Sequence, residues 1–411
     1  MVQTLFYIIL AIVIIDFLFE KTLEYLNDRK KSKAMPVEAA GIYDKEQYEK
    51  WLAYDKANGR VEVISSSISI ILSLMLLIGG YFGLLDIYLS FYFENPVVLA
   101  LVYFAVLGLG SSIVSLPFSI YQTFVIEERF GFNKSTVRTF VLDLLKGLGL
   151  TLLIGAPLGA LIIWIYYELE SDFWWIAWLI FSGFSLFMTM FGASIIMPLF
   201  NKFTPLPDGE LRTAIENYCA KVDFKLTNLF VMDGSKRSSK SNAFFSGLGP
   251  KKKIALYDTL IEQLTTDQIV AVLAHEVGHY KKKHTAQSLV LSIVQTGIML
   301  FLLGLFLRMD VFSQALGSIN ASFHVGIIAF SIIFSPISTL IGIGMNMLSR
   351  KNEFEADDYA KTTFDGDALG EGLKVLTREN LSNLKPHPAY VFVHYSHPPV
   401  LKRLANLSKR G

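Results

Sequence analysis

Residues 274–307 read AHEVGHYKKKHTAQSLVLSIVQTGIMLFLLGLFL. Two kinds of structure meet in this stretch. Residues 286–307 hold no Asp, Glu, Lys or Arg, and a run of about 20 apolar residues is what a helix needs to cross a bilayer. Directly before it stands His275-Glu276-Val277-Gly278-His279, an H-E-x-x-H pattern. Positions i and i+4 lie one turn apart on one helical face. Both imidazoles can therefore point a nitrogen at one metal ion, with the Glu276 carboxylate beside them. Zinc suits this pair: it lowers the pKa of a coordinated water toward ~7, and the carboxylate takes the proton as general base. With seven histidines and 36 acidic residues among 411, the pattern arises by chance only about 0.01 times. Thr265-Thr266-Asp267-Gln268 resembles a capping box opening the helix. The stretch predicts a zinc-hydrolase helix beside a membrane span.

The rest of the chain divides in the same way. Hydrophobic residues make up 52% and charged residues 18% of the sequence, against roughly 25% charged in a soluble domain. A net charge of +1 excludes the basic field of a nucleic-acid binder. The single cysteine, Cys219, excludes an intramolecular disulfide and any multi-Cys metal site. Seven apolar spans are read, at 4–24, 63–85, 97–122, 147–167, 174–200, 286–307 and 323–348. The first is interrupted by Asp16, Glu20 and Lys21 and lacks the basic start and A-x-A site of a signal peptide. Lys and Arg crowd residues 25–62, 123–146, 201–285 and the tail after Arg350, whereas 86–96 and 168–173 hold none and 308–322 only Arg308. The positive-inside rule then makes the first, third and fifth loops and the C-terminus cytosolic, with the N-terminus outside.

The expected fold is mainly α, a polytopic membrane protein with seven transmembrane helices and a cytosolic α+β metalloprotease domain. Spans one to five occupy residues 1–200, and a cytosolic segment, 201–285, carries the H-E-x-x-H helix. Spans six and seven fill 286–348, and a cytosolic C-terminal segment, 349–411, completes the zinc site. Within the first cytosolic segment, 210–223 reads as a helix, Leu226–Met232 and Lys253–Tyr257 as strands, and Ser241–Gly247 as a third candidate strand.

Catalytic zinc takes a third protein ligand and keeps a position open for water. Span seven returns the chain to the side of His275 at Arg350, followed by Asn352-Glu353-Phe354-Glu355-Ala356-Asp357-Asp358. If spans six and seven pack as antiparallel neighbours, this acidic turn lies level with the H-E-x-x-H helix. Glu353 and Asp357 share one helical face, so Glu353 can be the third ligand and Asp357 can hold a histidine N–H. Spacing alone does not choose between Glu353 and Glu355. His284, beside Lys281–Lys283, reads as a solvated membrane flank, and no role is read for His324, His387 or His394. Small residues recur in span two (Ser65, Ser66, Ser67, Ser69, Ser73) and span three (Gly108, Gly110, Ser111, Ser112). They serve either close helix packing or a wetted wall.

His275–His279 with Glu353-Phe354-Glu355-Ala356-Asp357, set among the spans, resembles the type 1 CAAX prenyl proteases over nearly the whole chain. Three further stretches carry the resemblance: Ile126-Glu127-Glu128-Arg129-Phe130-Gly131-Phe132-Asn133; Ser241-Asn242-Ala243-Phe244 with Gly247; and His397-Pro398-Pro399 with Arg403. The resemblance implies an integral-membrane zinc metalloprotease that removes the last three residues of prenylated C-a-a-X proteins. It implies one catalytic Zn2+ on His275, His279 and Glu353, with Glu276 as general base, inside a water-filled chamber enclosed by the spans. It further implies that Asn242 and Ala243 pair with the extended substrate, that His397 steadies the oxyanion, and that Arg403 supports the acidic residues.

The chain is shorter than a yeast or animal member and ends without an evident retention signal, so a bacterial member is expected. The location is then the inner membrane, or the endoplasmic reticulum in a eukaryotic host, with the active site on the cytosolic side. The partners expected are a peptide or protein substrate and the lipid bilayer, with no nucleic acid and no obligate protein partner. An alternative is a membrane quality-control metalloprotease without prenyl specificity. The seven spans and the Ser241–Phe244 and His397–Pro399 stretches favour the CAAX type. A transporter with an incidental H-E-x-x-H would carry ionisable residues at mid-membrane, and spans two, three, five and six lack them.

Overall fold

In the computed structural model, the described residues are 1–31, 34–226, 228–241, 243–246 and 253–409. The first half is helical: α1 (Val2–Lys30), α2 (Lys45–Ile78), α3 (Tyr81–Ser90), α4 (Pro96–Tyr121), α5 (Val137–Leu150), α6 (Ala156–Leu169), α7 (Phe173–Ile195) and α8 (Met197–Phe200). A mixed segment follows: β1 (Phe203–Pro205), α9 (Glu210–Lys221), β2 (Leu229–Met232), β3 (Ala243–Ser246), β4 (Lys253–Tyr257), α10 (Asp258–Gln263) and α11 (Thr266–Lys281). The remainder is α12 (His284–Leu307), α13 (Val311–Ala315), α14 (Phe323–Thr363), α15 (Gly366–Glu379), α16 (Pro388–His394) and α17 (Val400–Leu407).

Six helical segments are long and apolar enough to cross a membrane: Val2–Lys30, Lys45–Ile78, Pro96–Glu127, Val137–Phe200, His284–Leu307 and Phe323–Thr363. The fourth runs for 64 residues. It contains both expected spans 147–167 and 174–200, which flank the tight turn Glu170–Asp172. The chain is thus a multi-pass membrane protein with six apolar segments where seven spans are expected. Large apolar side chains such as Ile15, Ile71, Ile113, Leu153, Leu179 and Leu340 are exposed along them. So much exposed apolar surface calls for a hydrocarbon solvent.

Local sequence sets where these helices begin and end. Asp44 caps α2 in a reciprocal box with Gln47, and Asn95 accepts from the N–H groups of Val97 and Val98 with Pro96 at the first helical position. The second span differs from its expected bounds of 63–85. Helix α2 starts far earlier and stops at Ile78, because Gly79 caps it and Gly80 takes a left-handed φ of 64° before α3. In α4, a side chain at Gly108 or Gly110 would meet nothing within 4 Å, so these glycines do not serve close helix packing.

Outside the spans a four-stranded sheet runs in the order β1-β2-β4-β3. Strand β2 is parallel to β4 (Leu229 opposite Ile254), and β1 and β3 pair antiparallel on the two flanks. The expected strands at 226–232, 241–247 and 253–257 each contain an observed strand, as the expected helix at 210–223 contains α9. Strand β1 is additional: three residues give no period to read. The sheet, α9, α10, α11, α15 and α17 close over one core that includes Ile215, Leu256, Leu260, Ile269, Val270 and Leu369. A separate apolar core between the spans holds Ala100, Ile163, Phe173, Leu300, Leu307 and Phe330.

The capping box read at Thr265–Gln268 is present at the start of α11. This helix crosses α14 at close range. A methyl group added to Gly278 would lie 3.1 Å from the Cα and 3.2 Å from the carbonyl oxygen of Ala356, and Ala356 is itself fully buried. Backbone against backbone leaves no flexible neighbour to yield. Gly278→Val is expected to force the helices apart and cost about 1–3 kcal/mol, read as a lowered thermal midpoint of the purified protein in detergent. An unchanged midpoint would show that the crossing does not depend on this glycine.

Candidate metal centre

The α11–α14 crossing brings together residues some 75 positions apart in sequence. His275 and His279 present their Nε2 atoms 3.1 Å from each other. From α14, Glu353 places Oε1 3.2 Å from His279 Nε2 and Oε2 3.5 Å from His275 Nε2. One donor atom from each of the three lies within 4.8 Å of the others. Tetrahedral zinc with nitrogen ligands at 2.0–2.1 Å separates its ligand atoms by about 3.3 Å, so this spacing fits the ion. The chemistry fits as well. Glu353 is buried, and its Oε2 accepts no hydrogen bond although Arg403 and His275 lie 3.3 and 3.5 Å away, so it keeps a lone pair for a cation.

Each of these groups is held from behind. Asp357, fully buried on α14, accepts from His275 Nδ1 at 2.9 Å. That fixes the tautomer whose Nε2 lone pair points into the cluster. Arg403 on α17 donates to both Asp357 oxygens, at 2.9 Å from Nε and 2.6 Å from Nη2, and lies 3.3 Å from Glu353 Oε2 through Nη1. Burial opposes the charge on both cations. The carboxylates of Asp357 and Glu353 facing it outweigh burial at His275 and raise its pKa to about 9. At Arg403 burial is likewise outweighed, by Asp357, and the pKa rises. The cluster therefore attracts positive charge, as a proton on the imidazole or as a cation among its donor atoms.

Glu276 and His279 line a cavity of about 470 Å3 whose wall includes Ser185, Thr189, Ser288 and Asn352. His397 approaches the same Glu353 oxygen as His279, its Nε2 3.3 Å from Oε1, with its side chain 65% exposed. Its Nδ1 lies 3.0 Å from Ser396 Oγ. Ala243 begins β3, which pairs with β4 on one side only among the described residues. Asn242 lies outside the described residues. Burial pushes the Cys219 thiol up to about 11, so it offers no nucleophile.

Of the two acids that spacing left open, Glu353 joins the histidine cluster. Glu355 turns instead to His284, 3.2 Å from its Nε2. The reading of His284 as a solvated flank is therefore corrected: it is 5% exposed and its Nδ1 lies 3.0 Å from His279 Nδ1. Asp143 on α5 pairs with Arg237, and Lys146 on the same helix donates to the Leu199 carbonyl.

Two families match in succession: "CAAX prenyl protease N-terminal, five membrane helices" over residues 24–202 and "Peptidase family M48" over residues 205–411. The CAAX prenyl protease 1 homolog of Oryza sativa is 36% identical over 97% of this chain and 96% of its own length. The CAAX prenyl protease 1 of Saccharomyces cerevisiae is 35% identical over 96% and 93%. The crystal structure of S. mikatae Ste24p superposes with a TM-score of 0.92 at 34% identity, covering 98% of this chain and 99% of that one. These relatives are eukaryotic and lend no support to a bacterial source. With likeness at this level along the whole chain, in sequence and in structure, the protein belongs to the CAAX prenyl protease 1 family of M48 metallopeptidases.

Proposed function

We propose that this protein is a membrane-embedded zinc endopeptidase that removes the C-terminal tripeptide from prenylated C-a-a-X substrates. The carrying observation is the convergence of His275, His279 and Glu353 beside Glu276 at the edge of a cavity. His275, His279 and Glu353 would hold the ion. When bound, zinc supplies Lewis acidity, polarising a carbonyl and making water acidic enough to ionise near neutrality.

The chain's own residues do the rest. Glu276 accepts the proton of the attacking water at its carboxylate and returns it to the leaving amine. His397, exposed beside Glu353 Oε1, donates to the developing oxyanion. Strand β3 offers its unpaired edge to an extended substrate backbone through Ala243 and its neighbour Asn242. Asp357 and Arg403 keep His275 and Glu353 in place. The basic loops beside this machinery support a cytosolic-facing site.

Each of these roles can be tested. Purified protein given a farnesylated C-a-a-X peptide is expected to release the last three residues. Glu276→Gln is expected to lower turnover by at least about 100-fold while zinc stays bound. Cleavage by the variant at the wild-type rate would remove Glu276 from the chemistry, and loss of its zinc would make it structural. Glu353→Ala is expected to abolish stoichiometric zinc by metal analysis, and full retention would refute it as a ligand. Position 397 is exposed and Cys219 buried, so His397→Cys in sealed vesicles is expected to react with an impermeant thiol reagent from the cytosolic side only. Labelling from the opposite side would invert the topology.

A further inference from the structure

Behind His279 lies an arrangement that the reaction above does not use. His284 Nδ1 sits 3.0 Å from His279 Nδ1, and His284 Nε2 sits 3.2 Å from Glu355 Oε2. His284 is buried, and the Glu355 side chain is 38% exposed and also lies 3.6 Å from Lys351. The contact depends on a break in the chain. On one continuous helix, residues five apart point about 140° away from each other. Here α11 ends at Lys281, Lys283 takes a left-handed φ of 60°, and α12 starts at His284. The turn folds His284 back onto His279.

With His279 as a metal ligand and His284 neutral, one proton arrangement satisfies these contacts. If His279 offers the Nε2 lone pair to a metal, its Nδ1 carries the hydrogen. His284 Nδ1 must then accept it, so the His284 hydrogen sits on Nε2 and points at the Glu355 carboxylate. The opposite tautomer of His279 would turn its N–H toward Glu353 Oε1 and His275 Nε2, 3.2 and 3.1 Å away, and leave no lone pair there for a cation. We infer that His284 and Glu355 form a second imidazole–carboxylate support that positions His279 in the metal centre, as Asp357 supports His275. His284 is thus a positioning residue; the inference rests on His279 being a metal ligand.

The test is zinc affinity of the full-length protein in detergent, by competition with a chromophoric chelator. His279→Ala is expected to lose stoichiometric zinc. His284→Ala is expected to bind zinc about 10–100-fold more weakly. His284→Asn, whose Oδ1 can take the place of the accepting nitrogen, is expected to recover most of that loss. Glu355→Ala is expected to weaken zinc in the wild-type background and to add nothing to His284→Ala. Wild-type affinity in His284→Ala, or in Glu355→Ala should His284→Ala fail to fold, would overturn the inference. So would an Asn variant as weak as the Ala variant, since packing and not the accepted hydrogen would then matter. Zinc retained by His279→Ala would overturn the ligand reading itself.

Discussion

Helix α11 lies against α14 at the separation that Gly278 and Ala356 permit, and the centre exists only at that separation. The apolar residues around the crossing are small or fully buried: Ala271, Ala274, Val277 and Ala360 are all inaccessible. The imidazoles of His275 and His279 leave α11 on the side facing α14, and Glu353 and Asp357 leave α14 toward them. A tetrahedral ion spans ligand atoms about 3.3 Å apart and tolerates little deviation. The packing of two backbones therefore sets a distance that no side-chain rearrangement could restore. In the chain, 41 residues of α14 form one helix of about 61 Å. That is about twice the hydrocarbon thickness of a bilayer. The same rod that spans the membrane therefore also carries Glu353 and Asp357 beyond it.

The charges at the crossing hold one another. Asp357, Glu353, His275 and Arg403 are all buried, and removing one partner of a buried ion pair leaves the other uncompensated, at about 3–5 kcal/mol. Arg403 spans both acids with its planar fork, which an ammonium could not do. This makes α17, near the end of the sequence, a part of the centre. The fold must bring α11, α14 and α17 together before all four charges are satisfied, so the site is complete only when the extramembrane core has formed.

What the sequence disclosed follows from the range of the interactions involved. The pairing of His275 with His279 is a matter of helical pitch within five residues, and so is the shared face of Glu353 and Asp357. Both were legible. So were the strands at 229–232 and 253–257, whose β-branched and aromatic content is local. The choice between Glu353 and Glu355 was not, because it depends on which face of α14 meets α11, a tertiary fact. Arg403 gave no local signal, since its partners are 46 and 50 positions away; only the resemblance of the His397–Arg403 stretch pointed to it. His284 was misread because its spacing from His279 is wrong for a helix, and the left-handed Lys283 that corrects the spacing carries no glycine to advertise it. The second span was misplaced by apolar composition that runs unbroken across the Gly79–Gly80 turn.

The two histidines of the motif are braced from different parts of the molecule. His275 is held by Asp357 and Arg403, whose helices pack into the extramembrane core through Ala360 and Leu407. His279 is held by the first residue of α12, a helix that continues into the apolar core between the spans at Leu300, Leu303 and Leu307. Helix α12 is fixed there by α7, where Trp178 donates to the Ile293 carbonyl at 2.8 Å and rests on Gly297. The turn at Lys283 thus links the two cores beside the metal centre, as α14 does through Phe330 and Ala360. Any displacement of α12 relative to α14 acts directly on His279 and leaves the support of His275 intact. The order of the metal centre is in this way tied to the packing of the membrane helices, and the hydroxyl-lined cavity beside it opens between the elements that set that packing, α7, α12 and α14.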